Sequence, residues 1–242
     1  MDKKELINSG KVKSVYTTDN DDEVIIEFRD DMTAGDGERK EVMNNKGAYN
    51  AVISAKIFKV LEENGVATQF IDLPEPNVML AKKLEMIPIE VIVRNIATGS
   101  LVRKYPIEER TKLEPPIVEM DYKDDEYHDP MLNRSIIKAM GIATDEEVDI
   151  LIERALKINE VLSGFLADAG IILVDFKVEF GKDKDGNILL GDEISPDGCR
   201  LWDSETLDML DKELFRKGKD DEVMAAYIEV YDRIIPDDEK VI

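Results

Sequence analysis

Asp175, Lys177 and Glu179 alternate with Val174, Phe176, Val178 and Phe180 in "LVDFKVEFG". At strand spacing this puts two acids and an ammonium on one face and an apolar stripe on the other. The apolar face belongs in a core, and the other face carries charge. An Asp185-Gly186 turn follows, then a second strand. A two-residue hairpin there pairs residues whose numbers sum to 371, which sets Glu179 opposite Asp192. Carboxylates roughly 5 Å apart at Cβ repel each other unless a cation or a proton lies between them. Magnesium, a hard cation that takes oxygen ligands, is the expected cation. A solvated sheet face with ordinary surface ion pairs accounts for the same alternation. The run "GDEISPDGCRLWD", residues 191–203, tips the balance toward function. Its acids, Arg200, proline and glycine suit a substrate loop better than a sheet edge. Cys199 is expected as a small packing residue and Trp202 as an apolar anchor.

Two further stretches could handle anions. In "GKVKSVY", a glycine turn at Gly10 precedes Lys11 and Lys13 on one strand face, where two ammonium groups could reach nucleotide phosphates. The spacing is not that of a P-loop, and a lysine-bearing edge strand explains it equally. In "VRNIATGS", Arg94 at a strand end and the hydroxyl-rich turn Thr98-Gly99-Ser100 could hold a carboxylate or phosphate. A half-exposed arginine beside a plain turn is the alternative.

Composition limits the chemistry. Against 32 Lys and Arg stand 54 Asp and Glu, a formal net charge of -22. Such a surface repels nucleic acid and anionic membranes, so no nucleic-acid or membrane partner is expected, while a pocket that gathers cations can still take a small anion. The single cysteine, Cys199, rules out an internal disulfide or a cysteine-rich zinc site, and the start of the chain has no apolar signal segment. A reducing cytoplasm fits. One histidine, His128, disfavours Cys–His and Ser–His nucleophilic sites.

The elements that must position these residues follow from periodicity. Residues 10–30 read as a hairpin around "DNDDE", with Val12 and Tyr16 on the face opposite Lys11, Lys13 and Val15. A helix is expected over 47–63 with Gly65 just past its end, then short strands punctuated by proline, then "PIEVIVRN" ending at "ATGS". Residues 103–135, rich in proline and charge, read as a long irregular loop. Thr144 and Glu147 form a capping box for an amphipathic helix ended by Gly170. "DDEVMAAYIEVYDRII" is a last amphipathic helix. With 242 residues the chain is large enough for a substantial core, and the expected division is 1–85 and 86–242.

Taken in order, "GKVKSVY", "IPIEVIVRNIATGS", "HDPM", "LVDFKVEFG", "GDEISPDGCRLWD" and "DKELFRKG" resemble SAICAR synthetase of purine biosynthesis over nearly the whole chain. The resemblance implies an α+β fold: two lobes of antiparallel sheet with flanking helices, ATP lying in the cleft between them. It implies a cytoplasmic ligase that joins L-aspartate to the carboxylate of the imidazole nucleotide CAIR and spends ATP, with Mg2+ as cofactor and a homo-oligomeric assembly. By this resemblance Gly10, Lys11 and Lys13 contact ATP phosphates, Lys82 and Glu85 line the adenine pocket, and Glu179 and Asp192 hold magnesium. Arg94, Ser100 and Arg200 bind the imidazole nucleotide, with Lys212 and Arg216 at its 5'-phosphate. Lys177 and Asp175 line the reacting centre, and Asp129 and Asp197 orient substrate amines. The lysine pair and the acidic pair also suit a small-molecule kinase, which would need no aspartate, or a nucleotide sensor, which would not turn over.

Overall fold

The computed structural model describes residues 3–35 and 37–242. Its first half builds one antiparallel sheet from β1 (Leu6–Ser9), β2 (Lys13–Thr17), β3 (Glu23–Phe28), β6 (Phe70–Glu75) and β7 (Val78–Lys82), in the order β1-β2-β3-β7-β6. A small hairpin, β4 (Asp31–Ala34) and β5 (Arg39–Val42), and helix α1 (Lys46–Glu63) lie between β3 and β6. Val24, Ile26 and Phe28 turn one face of this sheet into the main core, which Ala51, Phe58 and Leu61 of α1 share. Tyr16, Ile25, Val78 and Leu80 cluster on the other face. The expected sidedness holds for Tyr16 against Val15, whereas Val12 lines the same cavity as Lys11, Lys13 and Val15. Past the end of α1, Gly65 adopts φ +82°, and Val66 donates to the Leu61 carbonyl at 2.9 Å, closing the helix as its position predicts.

Only Lys83 and Leu84 separate β7 from the second sheet, which begins with β8 (Glu85–Ile96). After the short α2 (Ser100–Lys104) come β9 (Lys112–Tyr122), α3 (Arg134–Met140), α4 (Asp145–Asp168), β10 (Ile171–Lys182), β11 (Ile188–Gly191), β12 (Cys199–Asp203), α5 (Glu213–Arg216) and α6 (Asp220–Ile234). The order is β11-β10-β8-β9, with β12 also on β10 and every pair antiparallel. Thr144 and Glu147 form the capping box of α4, and Gly170 beyond it takes φ +69°. The fold is α+β, as expected. Among the described residues no helix is long and apolar enough to cross a membrane.

Three expectations need correction. The stretch read as a loop over 103–135 contains strand β9 and the first residues of helix α3. Pro115 and Pro116 obscured the strand, yet the register jumps from Arg94↔Ile117 to Ile96↔Lys112, so both prolines lie in an edge bulge where no ladder hydrogen bond is asked of them. Next, β10 and β11 pair Glu179 with Gly191, not with Asp192. The turn spans 183–187: the Asp183 carboxylate accepts from the Asp185 and Asn187 N–H groups at 2.9 and 2.8 Å, which a two-residue turn cannot provide. Asp192 thus falls just beyond the ladder, at φ +54°. Finally, Arg200 sits on strand β12, not in a loop. Cys199 and Leu201 alternate inward, and the strand docks beside the first half of β10.

Candidate active site

Strands β11 and β12 occupy the same edge of β10, on the side away from β8. The chain leaves that edge after Gly191 and returns at Cys199, opening a gap at the middle of β10. The Lys177 N–H donates to the Gly198 carbonyl across it at 3.0 Å. Glu179 lies at one end of this gap and Asp175 at the other, and their side chains enter two adjoining groups of charges.

The first group lines a cavity of about 470 Å³ bounded by both sheets. Lys11 and Lys13 come from the β1–β2 turn, Glu90 from β8, Lys177 and Glu179 from β10, and Lys123 from the connection after β9. Each lysine here has a carboxylate partner: Lys11 meets Asp125 at 2.7 Å, Lys177 meets Glu90 at 2.5 Å, Lys13 is bonded to Asp192, and Lys123 to Glu179. Lys13 is also 3.5 Å from Glu193. Gly10 and Asp129 join the wall, and the Asp129 carboxylate receives the Asp124 N–H at 3.0 Å.

Burial and like charge set the protonation of this group. Glu179, 3% exposed, has its pKa pushed up to about 7, by burial first and by Asp192 next. The two acids are therefore electrostatic neighbours although they are not cross-strand partners. Burial pulls Lys13 down, but Asp192 and Glu193 outweigh it and the ammonium binds its proton more firmly than usual. Lys177 is raised in the same way by Glu90 and Glu179 against its burial. Asp192 is lowered, because Lys13 and Lys123 outweigh burial. Its carbonyl is held by the Gln69 side chain at 2.7 Å.

A second cavity of about 270 Å³ adjoins the first and shares Lys13, Lys123, Glu179 and Asp192 with it. Val15, Val24, Ile26, Leu84 and Met86 give it apolar walls beside Gln69 and Lys82. Lys82 donates to the Thr68 carbonyl at 3.1 Å. Glu85 is exposed at the start of β8, next to Leu84 and Met86 but outside the wall.

The second charge group surrounds Asp175. Arg94, 4% exposed, donates to Glu119 at 2.6 Å, to Asp175 at 3.1 Å and to Ser100 at 2.9 Å. Arg200 donates to both Asp175 oxygens, at 3.2 and 2.9 Å, and approaches Glu213, which also takes Arg216 at 3.0 Å. Burial raises the Asp175 pKa in spite of Arg200 and Arg94. Gly99 has φ +59°, and a Cβ there would stand 2.6 Å from an Arg200 Nη, so the guanidinium occupies space that only glycine leaves. Asp197 and Lys212 line the first cavity, on the side of this group.

Gly10, Lys11, Lys13, Asp129, Lys177, Glu179, Asp192, Asp197 and Lys212 thus meet at one cavity, Lys82 at its neighbour, and Arg94, Ser100, Asp175, Arg200 and Arg216 in the adjoining cluster. Sequence reading missed Lys46, Glu90, Lys123 and Glu193. Lys123 fell in the stretch read as irregular. Lys46 precedes the expected helix, and Glu90 alternates with Ile89, Val91 and Val93 of the core, so each shows in the sequence only as an ordinary charge.

Glu179 and Asp192 offer two converging carboxylates, and among the described residues no group of three or more His, Cys, Asp or Glu side chains completes a metal cage. Two carboxylates with room for phosphate oxygens are a donor set that suits magnesium rather than a thiolate- or imidazole-seeking ion. The raised pKa of Glu179 is the mark of an acid lacking a sufficient counter-charge.

Comparison with known proteins places the chain in a family. The chain is 82% identical over 241 residues to the phosphoribosylaminoimidazole-succinocarboxamide synthase of Methanobrevibacter smithii, covering 100% of this chain and 99% of the other. It is 58% identical to the enzyme of that name in Methanocaldococcus jannaschii, over 96% and 95% of the two chains. Among solved structures, a SAICAR synthetase in complex with ADP superposes with TM-score 0.93 at 48% identity, over 98% of this chain and 100% of that one. The Pyrococcus horikoshii SAICAR synthetase gives TM-score 0.87 at 49% identity, over 92% and 96%. The SAICAR synthetase family model matches residues 6–234, and the chain belongs to that family.

Proposed function

We propose that the protein ligates L-aspartate to the carboxylate of CAIR, forming SAICAR with ADP and phosphate, through an acyl phosphate. The observation that carries this reading is the meeting of Lys11, Lys13, Lys123 and Lys177 with Glu179 and Asp192 in one cavity, beside an arginine cluster on Asp175. A carboxylate is a poor electrophile, because its negative charge is delocalised. Phosphorylation gives it a leaving group, and bringing two anions together requires neutralised charge and fixed geometry more than a protein nucleophile.

The apolar second cavity suits a purine base, and Lys11 and Lys13 would exchange Asp125 and Asp192 for nucleotide phosphates. Glu179 and Asp192 would hold Mg2+, which when bound adds positive charge at the phosphates. Arg94, Ser100, Arg200 and Arg216 would take the anionic groups of CAIR, and Lys177 would steady its carboxylate. A carboxylate oxygen of CAIR attacks the γ-phosphorus as the bond to ADP breaks. The aspartate amine then attacks the acyl carbon, the C–N bond forms, and phosphate departs with the C–O electrons. The lobes 1–85 and 86–242 would be the two sides that close on the nucleotide. The test is ADP release with ATP, magnesium and CAIR, with and without L-aspartate. Aspartate-dependent release is expected; release without aspartate would make the protein a kinase, and nucleotide binding without turnover would make it a sensor.

A further inference from the structure

Forming the amide requires an uncharged amine, and an amino acid arrives with its nitrogen protonated. A group at the cavity must accept that proton. Most of the basic side chains there are already committed to carboxylates: Lys11 to Asp125, Lys13 to Asp192, Lys123 to Glu179 and Lys177 to Glu90. Lys212 is different. It is half-buried at the N-terminal side of α5, its backbone N–H is fixed on the Pro196 carbonyl at 3.1 Å, and its side chain lines the same cavity as Lys177, Asp197 and Gly198. Among the described residues its ammonium has neither a hydrogen bond nor an ion pair.

The acid nearest to serving it is already taken. One Asp197 oxygen is 2.7 Å from Lys46, which is 1% exposed, and the other receives the Tyr227 hydroxyl at 2.5 Å. Lys212 faces Lys46 and Arg216 as like charges and Asp197 and Glu193 as opposite ones, of which Asp197 acts most strongly. Burial, then Lys46 and Arg216, lower its proton affinity in spite of Asp197 and Glu193. Burial and the like charges favour the free amine, the form in which a lysine can serve as a general base.

We propose that Lys212 is the proton acceptor for the incoming amine, in place of the contact with the CAIR 5'-phosphate that the family resemblance implies for it. This rests on the ligase reading given above. The Lys212 amine takes one proton from the α-ammonium of L-aspartate, and the freed lone pair attacks the acyl carbon. The C–N bond forms, the C–O bond to phosphate breaks, and inorganic phosphate leaves. Lys46 acts at one remove: by holding Asp197 it keeps a salt bridge from locking Lys212 as an ammonium.

Hydroxylamine provides the test, because it is unprotonated at neutral pH and needs no base. ADP release is measured for wild type, Lys212→Ala and Lys212→Arg with ATP, magnesium and CAIR, using either L-aspartate or hydroxylamine as nucleophile. The expected result is a loss of about 10²–10⁴-fold with L-aspartate in both variants, hydroxylamine-dependent release near the wild-type rate, and partial recovery of the aspartate rate as pH is raised. Equal loss with both nucleophiles would overturn the proposal and assign Lys212 to nucleotide binding. Recovery of the aspartate rate in Lys212→Arg would overturn it in favour of a fixed positive charge. A wild type that releases ADP with neither nucleophile would overturn the ligase reading, and this inference with it.

Discussion

Glu179 carries two electrostatic burdens, burial and the nearby Asp192 charge, which together push its pKa up to about 7. A residue kept for stability alone would not be placed so. Glu179→Gln removes a buried charge and leaves Lys123, which is half exposed, to solvent. The expected outcome is an unchanged or higher Tm in the absence of metal, and a magnesium requirement raised by at least the roughly 10–100-fold that even outer-shell partners of a metal command. A magnesium titration of the rate, with thermal unfolding alongside, checks both. Gly99 gives a second test at this scale. Alanine there meets the Arg200 guanidinium and adds about 1–3 kcal/mol of backbone strain, because φ +59° with ψ -127° is a conformation that suits glycine. Gly99→Ala should raise KM for CAIR well before it lowers the affinity for ATP, and unchanged kinetics would show that Arg200 is free to move. Cys199, buried on β12 with its pKa raised well above a thiol's usual value by burial and then Asp175, should resist alkylation in the folded protein and react once unfolded.

Lys46 opens α1, and Asp197 lies in the excursion between β11 and β12, so their ion pair at 2.7 Å ties the helix to the second sheet. Burial acts against the Asp197 charge, yet Lys46 and Lys212 outweigh it and hold its pKa at about 2. Because the folded value lies below the unfolded one, this stabilisation is fully present above about pH 4 and is lost as pH falls toward 2. Lys46→Met should therefore cost about 3–5 kcal/mol at neutral pH, and the gap to wild type should narrow on acidification as the stranded Asp197 takes up a proton. Chemical denaturation of both proteins across that range measures it; a constant gap would mean that the pair is not the source. The elements themselves were readable where local chemistry acts alone. The Thr144–Glu147 box is local and stands as expected, and Phe176, Val178 and Phe180 of β10 join the core as predicted, whereas Leu173 takes the place expected of Val174 beside a bulge. What failed was decided by partners distant in sequence or by a side chain that reshapes its own turn. The edge bulge that shelters Pro115 and Pro116 depends on β8, and the register that moves Asp192 off the ladder depends on the side chain of Asp183. The approach of Lys123 to Glu179 spans the second sheet and has no signature in either segment.

A net charge of -22 surrounds a cavity that gathers lysines. The whole molecule repels the anions it is proposed to bind, and the local field must overcome that repulsion over a few ångströms. Added salt screens the long-range self-repulsion over about 10 Å at 0.1 M while leaving buried pairs such as Lys46–Asp197 largely intact. The folded protein should therefore gain Tm as potassium chloride is raised from low ionic strength, and a falling Tm would mean that exposed ion pairs matter more than net repulsion. The family could be read from six ordered stretches of sequence, whereas the way two sheets close one core around the site emerged only from the structure. The central claim is that this cavity activates the carboxylate of CAIR on ATP and hands it to L-aspartate. The most direct measurement is to supply CAIR with heavy oxygen in its carboxylate, together with ATP, magnesium and L-aspartate, and to weigh both products. The account predicts the succinocarboxamide nucleotide together with inorganic phosphate that carries one labelled oxygen. Unlabelled phosphate, or labelled phosphate without the amide, would contradict it.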